Sequence, residues 1–475
     1  MSTVRRVAKN TLVWLFGDIG GKILSLLFVI YAARYLHAEG YGTLSFALAF
    51  TGMFGMLSDI GFYELMVREI ARDKSAAGKY IGNVIMLKFF LVAAMLGLIC
   101  IAINAMNYPA LTVKLVYILG ASIAIDAFSM TFHATFHAFE RMEFISIGKI
   151  LKNVILLTGA VVITYEGLGI LAFAYLYLIG SLFLLAYSFT LVAIKFVKPR
   201  FELDKGFCKW LIKEGLPFWA SFVFIKIYYD IDKVMLSMMV GDVVVGWYSA
   251  AYRLVVTLGF IPTAFIASIY PVTSRLFISS KDALIFTTER ALKYMLIIGV
   301  PIGILTTSLS DEIISLVYGA EYAPSAIALQ ILIWSEVLIF GSVVFGNLLN
   351  SVNKQIVVTY QTAIAAILNV VMNLLLIPRY SYVGASIATV MTELFALLFL
   401  LSWNLRSEYR LKDMLYVARI LLAGSLMGAV LLIFHVNIAS ILLSFLVYSV
   451  TIYASGALDD SDIKIIKVLL RGVSK

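Results

Sequence analysis

The sequence predicts an all-α, polytopic membrane protein of about 14 transmembrane helices, and three observations carry that expectation. The composition is 62% hydrophobic and only 14% charged across 475 residues, with a mean hydropathy of +0.98. A chain with that balance has too few polar side chains to cover a water-facing surface, so lipid must be part of its solvent. Apolar runs of roughly 20 residues, the length a helix needs to cross hydrocarbon, recur along the whole chain. Lys and Arg collect in alternate gaps between those runs, as the positive-inside rule requires.

Taken in order, the chain opens with Arg5, Arg6 and Lys9 ahead of an apolar stretch that lacks a small-residue cleavage site. That stretch reads as a first span, 11–31, and not as a removable signal. Spans at 43–62, 81–103, 115–137, 150–165 and 170–194 follow, the fifth being short. A second group lies at 216–237, 247–270, 291–310, 325–350, 357–377 and 383–403, and a last pair at 415–434 and 438–455. The expected organisation is an amino-terminal lobe (1–200), a carboxy-terminal lobe (201–405) and a final segment of two helices and a cytoplasmic tail (406–475).

With the amino terminus inside, the outside segments hold only Arg34, Lys114 and Arg379 of the 37 basic residues, and the inside segments hold most of the rest. The asymmetry stays in register to the end, so both termini are expected in the cytoplasm of a multi-pass cytoplasmic-membrane protein. The longest inside linker, 195–215, interleaves Phe207, Trp210 and Leu211 with Lys205, Lys209 and Lys213. Such a pattern suits a helix on the anionic cytoplasmic leaflet, or a solvated basic segment, and 462–475 repeats it.

Several function classes are excluded or disfavoured. The net charge of +9 does not gather on a soluble face, so no nucleic-acid partner is expected. Cys100 and Cys208 make neither a disulfide framework nor a thiolate site. His133 and His137 are a helical i, i+4 pair without an HExxH pattern, and no metal or other cofactor is expected. No nucleotide-binding P-loop is present, so energy must come from an ion gradient, the membrane potential or the substrate gradient. A membrane glycosyltransferase or polymerase needs a sizeable external loop with paired acids. The outside loops are short, and Glu39, Glu166, Asp242, Asp311, Glu312 and Glu321 are scattered among them. The chain is therefore read as a transporter and not an enzyme.

A charge near the bilayer centre costs on the order of 3 kcal/mol unless it faces water or a partner. Sliding the chain against itself by 204 residues superimposes Lys22 on Lys226, together with Gly42 on Gly246, Ser45 on Ser249 and Ala47 on Ala251. Transporters built from such repeats place substrate at the repeat interface. Lys22 has Asp18 one turn before it and Lys226 has Asp230 one turn after it, so intrahelical salt bridges are one reading. The other is that both lysines supply positive charge to a cavity for an anionic group. Arg253, whose planar fork suits a phosphoryl oxygen, is a third cavity cation. Asp18, Asp59, Asp230, Glu336 and Glu393 are candidate ion-coupling groups or charge partners. Lys88, Asp126, Asp232 and Lys233 are further ionisable residues inside spans. Asn347, Asn350 and Gln361 are candidate sugar contacts, whereas Asn369 and Asn373 more readily bond between helices. Pro262 and Pro301 are expected to kink their helices.

Several stretches together resemble a known family. Tyr35-Leu-His-Ala-Glu-Gly-Tyr-Gly-Thr-Leu-Ser45 resembles the link between the first two helices of oligosaccharide flippases in the multidrug/oligosaccharidyl-lipid/polysaccharide exporter superfamily. Asp232-Lys-Val-Met235 and Gly246-Trp-Tyr-Ser-Ala-Ala-Tyr-Arg-Leu254 are similar to its seventh and eighth helices. The stretches 347–355, 369–378 and 383–389 continue the likeness, which covers the chain to about Trp403. The resemblance implies two six-helix lobes working by alternating access, with Lys22, Lys226 and Arg253 as cavity cations. It also implies a polyprenyl-(pyro)phosphate-linked glycan as substrate, and other polysaccharide-assembly proteins as partners beside the bilayer. The last two helices match the extra pair of fourteen-span members. A multidrug or organic-ion exporter and a peptidoglycan-precursor flippase of the same superfamily remain alternatives, and the central lysines disfavour a cationic drug.

Overall fold

The computed structural model describes residues 3–197, 203–459 and 462. Among these residues the regular structure is helical throughout. The helices are α1 (Thr3–Gly55), α2 (Phe62–Arg72), α3 (Ala77–Ala105), α4 (Ala110–Ala138), α5 (Met142–Tyr165), α6 (Ile170–Lys195), α7 (Lys205–Met239), α8 (Asp242–Leu258), α9 (Phe260–Ser279), α10 (Lys281–Ser308), α11 (Ser310–Tyr318), α12 (Ser325–Ser351), α13 (Gln355–Arg406), α14 (Leu415–Ile433) and α15 (Ile438–Ala454). Ten apolar segments are long enough to cross a bilayer. Two of them, α1 and α13, are each divided by one non-helical residue, His37 (φ 60°, ψ 176°) and Ser381 (φ 54°, ψ −137°). A straight helix of 53 residues would run about 80 Å, far beyond a hydrocarbon core of about 30 Å, so the chain must turn at His37. Counting both arms of α1 and α13, and adding α7 and the 17-residue α15, accounts for about 14 crossing segments.

The link expected over 32–42 is present as a turn at His37, with helix on both sides of it. Two sequence expectations are corrected here. Pro262 does not kink a helix interior: the chain breaks at Gly259, and Pro262 sits in the first turn of α9, where its missing N–H costs nothing. The aromatic stripe of the 195–215 linker does not form a separate surface helix but packs, at least in part, against the protein. Its described part is continuous with the seventh span as α7; Leu211 is fully buried, and Phe207 packs edge-on against Tyr80 and stacks on Trp210. Asp204 caps α7 through the Phe207 amide (3.1 Å) and pairs with Lys79 (3.2 Å). That amide and the Lys79 ammonium hold the Asp204 carboxyl below the ordinary carboxylate range. The tail beyond Asp462 lies outside the described residues.

The helices pack as two compact units, 1–253 with 366–385, and 254–365 with 386–475. In the first, α4 lies along α6, α1 along α5 and α7 along α1. One of its buried clusters joins Phe62, Leu65 and Met66 of α2 to Tyr80 and Ile81 of α3, Phe132 and Phe136 of α4, and Leu211 of α7. The second unit is built on α10, α12 and α14, with Leu292, Met295, Phe340, Phe345 and Ile420 at its centre. There α15 is tied in by Tyr448, whose hydroxyl donates to the Ile297 carbonyl at 3.0 Å. Asp462, fully buried, pairs with Lys293 at 2.9 Å and with Arg290, and accepts a hydrogen bond from the Tyr294 hydroxyl at 2.7 Å.

Candidate functional site

The site begins with a break in the chain. After Gly55 the helix tightens into a single turn, Asp59 is extended, and Gly61 takes a positive φ of 69° before α2 starts. Asp59 Oδ1 caps the new helix through the amides of Phe62 (2.6 Å) and Tyr63 (3.4 Å). Gly61 and Gly215 lack side chains where these backbones meet: a Cβ on Gly61 would run into the Gly215 carbonyl, and one on Gly215 into that of Ile60. The notch this break leaves is a cavity of about 290 Å³. Its walls are Gly52, Gly55 and Met56 of α1, Asp59 of the break, Tyr63 and Glu64 of α2, Lys88 of α3, Asp126 and Met130 of α4, and Phe218, Trp219, Phe222 and Lys226 of α7. Trp219 is fixed by its indole N–H, which donates to the Met56 carbonyl at 2.9 Å.

Each of four lysines around this cavity is bonded to an aspartate, two of them to the same one. Lys88, 1% exposed, bonds Asp59 at 2.8 Å and the Ala127 carbonyl at 2.7 Å. Asp126 takes Lys152 on both oxygens at 2.9 Å, and Lys152 also donates to Ser181 at 3.1 Å. Asp230 takes Lys226 at 2.6 Å and Lys233 at 3.2 Å, and Lys233 lies 4.8 Å over the Tyr252 ring. Uncompensated charge in such surroundings is costly, which explains why each lysine arrives with an aspartate.

The opposite end of α7 is hydrogen-bonded to its neighbours. Asp242 accepts hydrogen bonds from Thr43 (2.7 Å) and Ser237 (2.5 Å), and Ser237 exchanges one with the Tyr108 hydroxyl (2.9 Å). Here α1 and α8 cross backbone to backbone: a Cβ on Gly42 would fall on the Asp242 carbonyl, and one on Gly246 on the Ala38 carbonyl. The two glycines that the 204-residue repeat equates therefore meet at one crossing. Two of the helices that line the cavity, α1 and α7, are thus tied to α8 at their other ends.

The sequence candidates are distributed as follows. Lys226, Asp59 and Asp230 belong to the cavity and its charge pairs. The salt-bridge reading of Lys226 with Asp230 holds, while the Asp18 side chain lies outside the described residues. Lys22 is half-buried on α1 and is not among the cavity-lining residues. Arg253 donates to Ser25, one turn beyond Lys22, at 2.6 Å, which brings these two cations to one region of the first unit. Glu336 and Glu393 are buried in the second unit. Asn347 is buried and donates to Thr273 at 3.2 Å, Gln361 is buried, and Asn350 is exposed. Asn373 bonds between helices, to Asp232 at 2.5 Å, as well as to Asn369 at 3.0 Å; Tyr248 donates to the other Asp232 oxygen at 2.7 Å. Glu64, Tyr63, Trp219 and Lys152 were not singled out by sequence. Only Lys152 carried a usable signal, as a charge inside a span.

These features define a multi-pass membrane transporter of two helical units, with a charged cavity in the first. The family model described as "Polysaccharide biosynthesis protein" matches residues 7–277, and a second, MatE, matches 217–375. The chain belongs to the polysaccharide biosynthesis protein family, the oligosaccharide-flippase branch of the multidrug/oligosaccharidyl-lipid/polysaccharide exporter superfamily. Among curated relatives it is 22% identical over 394 residues to the probable low-salt glycan biosynthesis flippase Agl15 of Haloferax volcanii, covering 81% of each chain. It is 26% identical over 172 residues to the capsular polysaccharide biosynthesis protein CapF of Staphylococcus aureus, covering 35% of this chain and 43% of that one. Its fold matches the lipid II flippase MurJ in an inward closed conformation, with TM-score 0.75 and 17% identity over 94% of this chain and 98% of that one. An inward-facing multidrug resistance MATE transporter follows at TM-score 0.66 and 16% identity, over 82% and 97%.

Proposed function

We propose that this protein translocates a polyprenyl-(pyro)phosphate-linked oligosaccharide across the cytoplasmic membrane by alternating access, for cell-surface glycan assembly. The observation that carries the reading is the lysine-bearing cavity between α1, α2, α3, α4 and α7, in a chain of the polysaccharide family. A phosphate-linked sugar headgroup cannot enter hydrocarbon without losing its hydration, so it needs a polar, cationic recess. The charge asymmetry of the loops supports a cavity on the cytoplasmic side, where such a headgroup would be loaded. No bond need be cut; two states of similar energy that the substrate biases suffice. Lys226 is the cavity cation in this reading, with Lys22 and Arg253 acting as a second cationic station.

The test is headgroup translocation in proteoliposomes, read by protection of a labelled lipid-linked glycan from a membrane-impermeant reagent. Wild type should move the glycan, and Lys22→Gln/Lys226→Gln should insert normally yet move none. Equal translocation by both would overturn the reading. A second reading, export of an organic cation, is favoured by Asp59, Glu64, Asp126 and the aromatic wall of the same cavity. Saturable uptake of a cationic dye that survives Lys226→Gln and fails in Asp126→Asn would establish it instead.

A further inference from the structure

Every lysine around the cavity is already engaged. Lys88, Lys152, Lys226 and Lys233 are bonded to Asp59, Asp126 and Asp230, and Glu64 adds one more acid to the lining. A phosphate headgroup entering here competes with a carboxylate for the charge of each ammonium, and the three aspartates differ in how firmly they are held. Asp59 caps α2 through two backbone amides, so it cannot leave Lys88 without uncapping a helix. Asp126 holds Lys152 with both oxygens while Ser181 holds the same ammonium from another helix. Asp230 binds Lys226 and Lys233 of its own helix, so it can give up the first by rotation of a side chain, with no helix displaced. Lys226 is also the most accessible of these lysines, at 33% against 1% for Lys88 and about 15% for the other two. Gly52 opposite leaves room beside it: a Cβ there would come within 3.3 Å of the Lys226 ammonium and 3.6 Å of Asp230 Oδ2.

We infer that Asp230 is the exchangeable counter-ion of the substrate site: the phosphate takes Lys226 from it, and Asp230 takes up a proton from water in return. This rests on the phosphate-headgroup reading above. The balance is one anionic group in and one proton in, with no covalent change. A carboxylate that has lost one of its two ammoniums and stands beside a diphosphate bearing two charges is pushed towards its neutral form by like-charge repulsion and poor solvation, against the pull that Lys233 keeps on it. The groups that face it are Lys226 and Lys233 of α7, Tyr252 of α8, and across the cavity Asp59, Glu64, Lys88 and Asp126 with Lys152 behind it. Substrate binding and proton binding then strengthen each other, which would let a proton gradient bias loading and release.

The experiment is isothermal titration of the detergent-solubilised protein with farnesyl-diphospho-N-acetylglucosamine, whose diester linkage keeps its charge constant across the neutral range. Measurements in buffers of different ionisation enthalpy give the protons taken up per probe bound. Wild type should take up about one, with affinity rising up to about tenfold per unit fall in pH. Asp230→Asn should bind more tightly at neutral pH, with no uptake and no pH slope. Binding by wild type that Lys226→Gln loses, but with no proton uptake and an unchanged slope in Asp230→Asn, overturns the exchange and leaves the phosphate reading standing. Absence of binding, or binding that Lys226→Gln does not weaken, overturns both. The wild-type proton count decides the matter even if Asp230→Asn fails to fold.

Discussion

Neutralising Asp59 tests how dry the floor of the cavity is. The Lys88 ammonium, 1% exposed, rests on Asp59 Oδ2 and the Ala127 carbonyl, while Asp59 itself is 22% exposed and keeps two backbone amides on its other oxygen. Asp59→Asn preserves shape and helix cap, since Asn caps as well as Asp, but strands a buried cation. Removing one partner of a buried pair costs about 3–5 kcal/mol, and the wet side of Asp59 argues for about 3 kcal/mol. Lys88→Met strands a carboxylate that still has two amides and some water, and should cost about 1 kcal/mol. The double variant buries no charge and should recover most of the loss. At about 2 °C per kcal/mol for a unit of this size, thermal unfolding in detergent should show drops of about 6 °C for Asp59→Asn and about 2 °C for Lys88→Met. If Lys88→Met is the worse of the two, or the double variant recovers nothing, the pairing described here is wrong.

Three further outcomes follow from the fold. Gly42→Ala should destabilise by more than about 1 kcal/mol because its methyl would meet the Asp242 carbonyl, whereas Gly97→Ala, with open space around it, should stabilise by about 0.5–1 kcal/mol; unfolding midpoints of the two variants check the contrast. His37 holds a φ, ψ pair that is essentially reserved for glycine, so His37→Gly should raise stability by about 1 kcal/mol in the same assay, and His37→Val should lower it. Burial opposes the charge on Asp462, but the Tyr294 hydroxyl, the Asp459 amide and Lys293 overcome it and hold the carboxyl below the ordinary carboxylate range. A depressed carboxyl contributes stability in full above its unfolded value of about 3.9 and loses it as pH falls through the lower folded value. Asp462→Asn should therefore lower the melting point at neutral pH, and its gap to wild type should close on acidification below about pH 4.

Sequence periodicity revealed the helices because each crossing must be apolar for its whole length, and lipid tolerates no alternative. The two turns inside α1 and α13 fall in the gaps 32–42 and 378–382 between expected spans, so hydropathy located them to within a few residues, although His37 and Ser381 are not turn-forming residues and nothing in the sequence marks the dihedral itself. The Lys226–Asp230 pair was legible because its members are four residues apart on one helix. Asp59–Lys88 and Asp126–Lys152 were not, because their members come from different helices and only packing fixes the register between them. The Phe207, Trp210 and Leu211 stripe reads the same against lipid as against α2 and α3. Gly42 and Gly246 appeared as a repeat identity, and only the three-dimensional crossing shows why a side chain is absent at both.

In the proposed function, Lys226 holds a phosphate-linked glycan lipid. Mass spectrometry of lipids copurifying with the protein from its native membrane tests it most directly, comparing wild type with Lys226→Gln and with the Lys22→Gln/Lys226→Gln pair. A polyprenyl-phosphate-linked glycan should be enriched on wild type, depleted on Lys226→Gln and absent from the double variant. The same bulk phospholipids on all three, with no such glycan, would contradict it.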